Sequence, residues 1–219
     1  MLIRKITYQN SSHWAMRLLL TLVGLAILAG CSSSASVQVD RTFPSVLAKP
    51  KPISASILFT EEFSNYIAQP NDKTVIDMGS AQVKVMKNTF TGLFNDVEFI
   101  TSTDQITNDN GLIITPSVRE VQVSTPSDNY LNVFEVWIKY NLDIEDTEGE
   151  PIVSWFMPAY GKTPDAFMAS KPKAIEEASV IALRDAGAKL MLDFYRIPAI
   201  YGWLKEQQRK EQQRLEESP

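Results

Sequence analysis

The most regular pattern of hydrophobic and polar positions runs from Phe134 to Ile144. Phe134, Val136, Ile138, Tyr140, Leu142 and Ile144 alternate with Glu135, Trp137, Lys139, Asn141 and Asp143. Strand side chains point to opposite faces in turn, so a period of two predicts one face in a core and one towards water, as in an antiparallel sheet. Glu145 to Glu150 then turns the chain, and Ile152 to Met157 is expected to return as the hairpin partner, ahead of a loop over 158–172. Upstream, Ile53 to Thr60 reads as a first strand, Val97 to Thr101 as a second and Leu112 to Val123 as a third. The alternation of the third breaks around Pro116, which predicts an edge or a bulge.

Two stretches carry a helical period instead. Behind Ser80 as N-cap, Val83, Met86, Phe90, Leu93, Phe94 and Val97 recur at three and four residues. Val180, Leu183, Gly187, Leu190, Met191 and Phe194 do the same between Lys173 and Tyr195, flanked by Ala178, Ala182 and Ala186, which would allow close approach to a sheet. Such stripes normally build cores rather than ligand grooves. Pro198 interrupts or restarts the helix. After Tyr201-Gly202-Trp203-Leu204, residues 205–219 have good helix formers and almost no apolar face, a polar helical tail. The element order predicts an α+β two-layer sandwich over residues 53–204, a mainly antiparallel sheet carrying two long amphipathic helices.

The longest apolar run, Leu18 to Ala29, is shorter than the roughly 20 residues a membrane-spanning helix needs. It follows Arg4, Lys5 and Arg17 and ends in Leu28-Ala29-Gly30-Cys31, with Ser32-Ser33-Ser34 behind it. This stretch resembles a bacterial lipobox. The resemblance implies that residues 1–30 are a signal peptide and that Cys31 becomes the mature N-terminus, carrying diacylglycerol and an N-acyl chain such as palmitate. Ser32, in place of an aspartate, implies an outer-membrane address facing the periplasm. Residues 31–52 are rich in Ser, Ala and Pro and read as a lipidated cysteine on a flexible tether, with an extended reach of about 70 Å. Within it, Val37, Val39 and Phe43 are able to pair or pack.

Loss of the signal peptide changes the charge. Taking Arg4, Lys5 and Arg17 from 21 basic residues leaves 18 against 26 acidic, a net −8 rather than −5. An acidic domain is a poor partner for nucleic acid, which is bound through clustered Lys and Arg. It is equally unsuited to electrostatic docking on anionic headgroups, so membrane attachment has to come from the lipid.

The residue inventory excludes much chemistry. Cys31 is the only cysteine and His13, upstream of the cut, the only histidine. A mature chain without histidine has no Ser-His-Asp or Cys-His pair and no imidazole zinc site. Asp143, Glu145, Asp146, Glu148 and Glu150 form the densest acidic cluster, but they lack the offsets of a calcium loop. As a glycosidase pair they would sit on a loop tip without aromatic platforms beside them. Phosphate-cradling glycine motifs are absent. The expectation is a non-enzyme with no cofactor beyond the acyl chains on Cys31.

Aromatic residues supply the interface candidates. Trp137 is out of phase with the core-facing set, and Trp155, Phe156 and Tyr160 follow on and beyond the hairpin, with Tyr130 and Leu131 at its entrance. Trp203, in the apolar stretch Ile197 to Leu204, is the fourth candidate beside Trp137, Trp155 and Tyr160. The stretch Ala174 to Leu204, with its Ala-Leu-Arg-Asp-Ala-Gly segment and Phe-Tyr-Arg-Ile-Pro-Ala-Ile-Tyr-Gly-Trp-Leu ending, resembles uncharacterised proteobacterial outer-membrane lipoproteins. Together these readings predict an interaction or assembly module of an envelope protein complex. The alternative is an accessory carrier holding a lipid or glycan in a cavity behind Met86, Phe90, Leu190 and Met191.

Overall fold

A computed structural model describes residues 34–43, 48–108, 111–164 and 170–217. The stretch resembling a lipobox, with Cys31, lies outside the described residues. In chain order the elements are β1 (Ala35–Gln38), β2 (Lys51–Leu58), α1 (Glu61–Ser64), β3 (Ile67–Asn71), β4 (Thr74–Asp77), α2 (Gly79–Leu93), β5 (Phe94–Ile100), β6 (Gly111–Ser124), α3 (Pro126–Asn129), β7 (Val133–Asp146), β8 (Pro151–Pro164), α4 (Lys171–Asp193) and α5 (Pro198–Glu217). The fold is an α+β sandwich. No helix among the described residues is long and apolar enough to cross a membrane.

The main sheet has the strand order β5-β2-β6-β7-β8. β6, β7 and β8 run antiparallel, whereas β2 is parallel to both β5 and β6. The sheet is therefore mixed, because β5 follows a helical crossover through α2, and such a crossover brings the chain back parallel. A second sheet of order β1-β4-β3 was not anticipated from the sequence.

Pro116 lies inside a strand, as expected, and so does Pro158, which was expected to open a loop. Pro116 is in β6 two residues past Ile114, the last residue paired with β2, so its missing N–H leaves no ladder bond unmade on that side. The bulge falls at Val118/Glu120 instead. Pro158 is in β8, which sits at the sheet edge and continues to Pro164 rather than ending at Met157.

The alternation of β7 is realised: Phe134, Val136, Ile138, Tyr140, Leu142 and Ile144 are all buried on the helix side. α4 packs on β7 and β8, α2 packs on β5, and the two helices touch each other. Small residues set both approaches. A Cβ on Gly161 would lie 2.0 Å from the Ala178 carbonyl oxygen and 2.4 Å from the Ala182 nitrogen, and one on Gly187 would lie 3.1 Å from Val85 and Thr89. The alanines beside the expected stripe are thus the contact surface itself, with Ala174, Ala178, Ala182 and Ala186 fully buried. α4 also blunts the edge of β8. Asp185 accepts from the Tyr160 N–H at 2.9 Å, and Lys189 donates to the Pro158 carbonyl at 2.7 Å.

The stretch read as a tether is partly structure. Ala35, Val37 and Val39 are buried, β1 pairs with β4, and Val39 donates to the Asp77 carbonyl at 2.9 Å. Further along, Asp40 pairs with Lys84 of α2, Arg41 with Glu176 and Glu177 of α4, and Asn88 donates to the Phe43 carbonyl. Among the described residues the first strand starts at Ala35, upstream of the expected Ile53. Alternation over four residues is too short a signal to stand out in a Ser-rich segment.

Pro198 restarts the chain as α5, since a first helical residue needs no N–H partner. Ile200 is buried and Trp203 and Leu204 pack partly against the core. Beyond Gln208 the helix is exposed.

Candidate interaction face

The face of β6, β7 and β8 opposite the helices carries the odd-numbered positions of β7. The antiparallel register places Trp137 opposite Tyr160 in β8 and Gln122 in β6. The Trp137 and Tyr160 rings lie 4.9 Å apart between centroids, tilted by 39°. Partial exposure of both leaves ring surface available to a partner. Phe156, opposite Asn141, is 53% exposed on the same face.

Polar side chains brace this face. Asn141 donates to Asp143 and Ser154, each at 2.8 Å. Lys139 pairs with Glu120 across the strands, and this hydrogen bond, with one from Gln122, holds the Glu120 carboxyl below its ordinary range. Glu135 Oε1 accepts from the Tyr160 hydroxyl at 2.6 Å, while its Oε2 accepts from the Asn129 amide at 3.1 Å. Burial, followed by this hydrogen bond and the carboxylate charge, pushes the Tyr160 hydroxyl up to about 12.

Asn129 belongs to the tip between β6 and β7. Thr125 and Asp128 close α3 through the 2.8 Å bond from the Thr125 N–H to the Asp128 carboxylate. Asn129 also donates to the Val133 carbonyl and accepts from the Leu131 N–H, both at 3.0 Å. Between these anchors Tyr130 and Asn132 have φ of 57° and 52°, and Tyr130 and Leu131 are 90% and 67% exposed. A left-handed conformation is unusual for an aromatic residue. It projects both side chains from a tip that Asn129 fixes to Glu135.

Two of the four interface candidates come together and two do not. Trp155 pairs with Leu142 on the helix side and packs against the core. It is five residues from Tyr160, and an odd separation along a regular strand puts two side chains on opposite faces. Trp203 is on α5, beside Lys51 to Ser54, in a groove of about 340 Å³ that also includes Ile53, Leu204 and Lys210. Glu135 and Asn129 were not among the expected residues. Glu135 was visible in principle, two positions from Trp137 on one strand face, whereas nothing in the sequence marks Asn129.

The acidic cluster ends as a turn. Asp146 Oδ1 accepts from the backbone N–H groups of Glu148 and Glu150, both at 2.9 Å, and those two residues are exposed. Among the described residues no group of three or more His, Cys, Asp or Glu is placed to hold a metal ion. Met86, Phe90 and Leu190 are buried in the continuous core, and Met191 packs at its margin.

Comparison with known proteins places this architecture only loosely. No family model matches the chain, and no curated protein matches it. Among solved structures, a Xanthomonas campestris protein of the DUF330 family is similar at 11% identity and a TM-score of 0.46, covering 80% of this chain and 97% of that one. A minor lipoprotein from Acinetobacter baumannii has 11% identity and a TM-score of 0.41, over 66% of this chain and 92% of its own. A neuraminyllactose-binding haemagglutinin homologue from Helicobacter pylori has 14% identity and a TM-score of 0.45, over 80% and 100%. At such values these proteins say nothing about what this chain binds.

Proposed function

We propose that the protein is a lipoprotein anchored through Cys31 in the outer membrane, facing the periplasm, and that it acts there as a non-enzymatic interaction module of an envelope complex. The observation that carries the reading is the braced, partly exposed face of β6, β7 and β8. It pairs an aromatic platform, Trp137 and Tyr160, with a fixed apolar tip, Tyr130 and Leu131. Pre-ordered aromatic side chains bind with little further loss of conformational entropy, which is what a protein-docking surface requires. The absence of histidine after residue 13 supports the non-enzymatic part.

The test is crosslinking in intact cells from a photoreactive residue at position 130 or 137, with Cys31→Ser as the unanchored control. A specific envelope protein crosslinked only from the anchored form is the expected result. Labelling no stronger than from an exposed position on α5 would rule this face out.

A second reading, an accessory carrier for a lipid or glycan, draws on the groove between α5 and the start of β2. Its volume falls within the range of small-molecule sites, and Trp203, Leu204 and Ile53 give it an apolar wall. Co-purification of a lipid that is lost on Trp203→Ala would favour it.

A further inference from the structure

We propose that the domain rests directly on the bilayer, with the start of β1 and the Asn71–Lys73 turn at the lipid headgroups. The proposal rests on the lipidation of Cys31. Only Ser32, Ser33 and Ser34 separate that cysteine from Ala35. Four residue steps, fully extended, reach about 14 Å.

The leash cannot lengthen by drawing on the fold, because β1 is fastened along its whole length. The Ala35 N–H donates to the Lys73 carbonyl at 2.6 Å, and Ala35 to Gln38 pair in register with Thr74 to Asp77. Val37 and Val39 are buried, and Asp40 and Arg41 then engage α2 and α4 through ion pairs. A spacer of some twenty residues would leave the domain free to stand off the membrane; a strap fixed from Ala35 onwards does not.

The direction of β1 selects the surface. β1 and β4 are parallel, so the start of β1 lies beside the start of β4 and the turn that leads into it. That turn is closed by the Asn71 side chain, which accepts from the Lys73 N–H at 3.0 Å, and Asn71, Asp72 and Lys73 are exposed. On the outer side of the same small sheet, Val75, one residue past the start of β4, is 38% exposed. Asp72 and Lys73 oppose one another in charge, so the bilayer is met through the short leash, with Val75 beside the turn, rather than through a basic patch. The partner is a phospholipid surface.

The experiment uses the full lipidated protein in vesicles of phosphatidylethanolamine and phosphatidylglycerol containing a headgroup-linked quencher lipid. Cys31 is the only cysteine and would be acylated, so Asp72→Cys adds a single free thiol for a fluorescent dye. Glu148→Cys, in the turn between β7 and β8, is the comparison site. The dye at position 72 should lose most of its fluorescence and the dye at 148 much less. Inserting a Gly/Ser segment of about twenty residues between Ser33 and Ser34 adds roughly 25 Å of reach and should restore the signal at 72. Quenching at 72 no stronger than at 148, or unchanged by the insertion, overturns the placement. The mass of the N-terminal peptide separates the two failures. An acylated Cys31 without quenching removes the placement alone, whereas an unacylated Cys31 removes the lipoprotein reading together with it.

Discussion

The hydroxyl of Tyr160 donates a 2.6 Å hydrogen bond to Glu135, diagonally across the β7–β8 pair. Through the other carboxylate oxygen of Glu135 the bond continues to Asn129, so the aromatic face and the tip carrying Tyr130 and Leu131 form one braced unit.

Ionising Tyr160 would set a phenolate against that carboxylate. Its folded-state pKa of about 12 lies above the ordinary 10, so its contribution to stability is present below about pH 10 and disappears as the pH rises through 12. In an alkaline absorbance titration, Tyr160→Phe should remove one late-titrating tyrosine. Glu135→Gln should make it titrate earlier. A Glu135→Gln profile that matches the wild type would show that the carboxylate does not hold the hydroxyl.

Gly161→Ala would drive a methyl group into the backbone of α4, 2.0 Å from the Ala178 oxygen. Neither neighbour is a side chain that can swing away, so α4 has to shift. A loss of about 1–3 kcal/mol or more is expected from overpacking. Urea denaturation measures it, and Gly202→Ala, with open space around the new methyl, should cost far less.

Tyr140 and Gln82 form a buried polar bridge. Tyr140 donates to Gln82 Oε1 at 3.1 Å, and Gln82 donates to the Phe63 carbonyl at 2.6 Å, tying β7 to α2 and α1. Tyr140→Phe leaves the Gln82 oxygen buried without its donor, at a cost of about 1–3 kcal/mol. The same denaturation curves report it, with an unchanged slope because the folded surface is the same.

A chain beginning at Ile53 should fold poorly. It lacks β1 and leaves one edge of β4 unpaired, and the burial of Val37 and Val39 alone is worth about 1.5–3 kcal/mol each. A chain beginning at Ser34 should retain full stability. Equal midpoints for the two would contradict the assignment of β1 to the fold.

Glu98 holds the loop after β5. Burial pushes its carboxyl up, but hydrogen bonds from the Ser56 hydroxyl at 2.5 Å and from Thr107 outweigh this and leave it below its ordinary range. Its contribution is therefore complete above the unfolded carboxylate pKa and is lost as the pH falls through the lowered folded value. Pepsin should cut within 101–108 more readily as the pH falls, and Glu98→Gln should blunt that pH dependence.

Much of this was legible along the chain because it depends on near neighbours. The period of two assigned both faces of β7 correctly, and the helical period located α2 and α4. The buried stripe of α2 keeps the expected Met86, Phe90 and Leu93 and widens by one position to Gln82, Val85 and Thr89, with Val83 only partly buried and Phe94 and Val97 already in β5. Helix period gives a face, whereas the neighbouring α4 decides its centre and admits Thr89 beside Gly187.

The sequence by itself determined the residue inventory, which leaves no histidine or cysteine chemistry to residues 34–219, and the alternation that keeps Trp137 off the core. Only the tertiary structure decided that β1 is a strand, that β5 runs parallel, and that Trp155 and Tyr160 face apart. It alone joined Asn129 to Glu135 and Tyr160. The reason is the same in each case. Strand partners and buried approaches are set between residues distant in sequence, and a short or polar segment acquires its structure from the surface it pairs with.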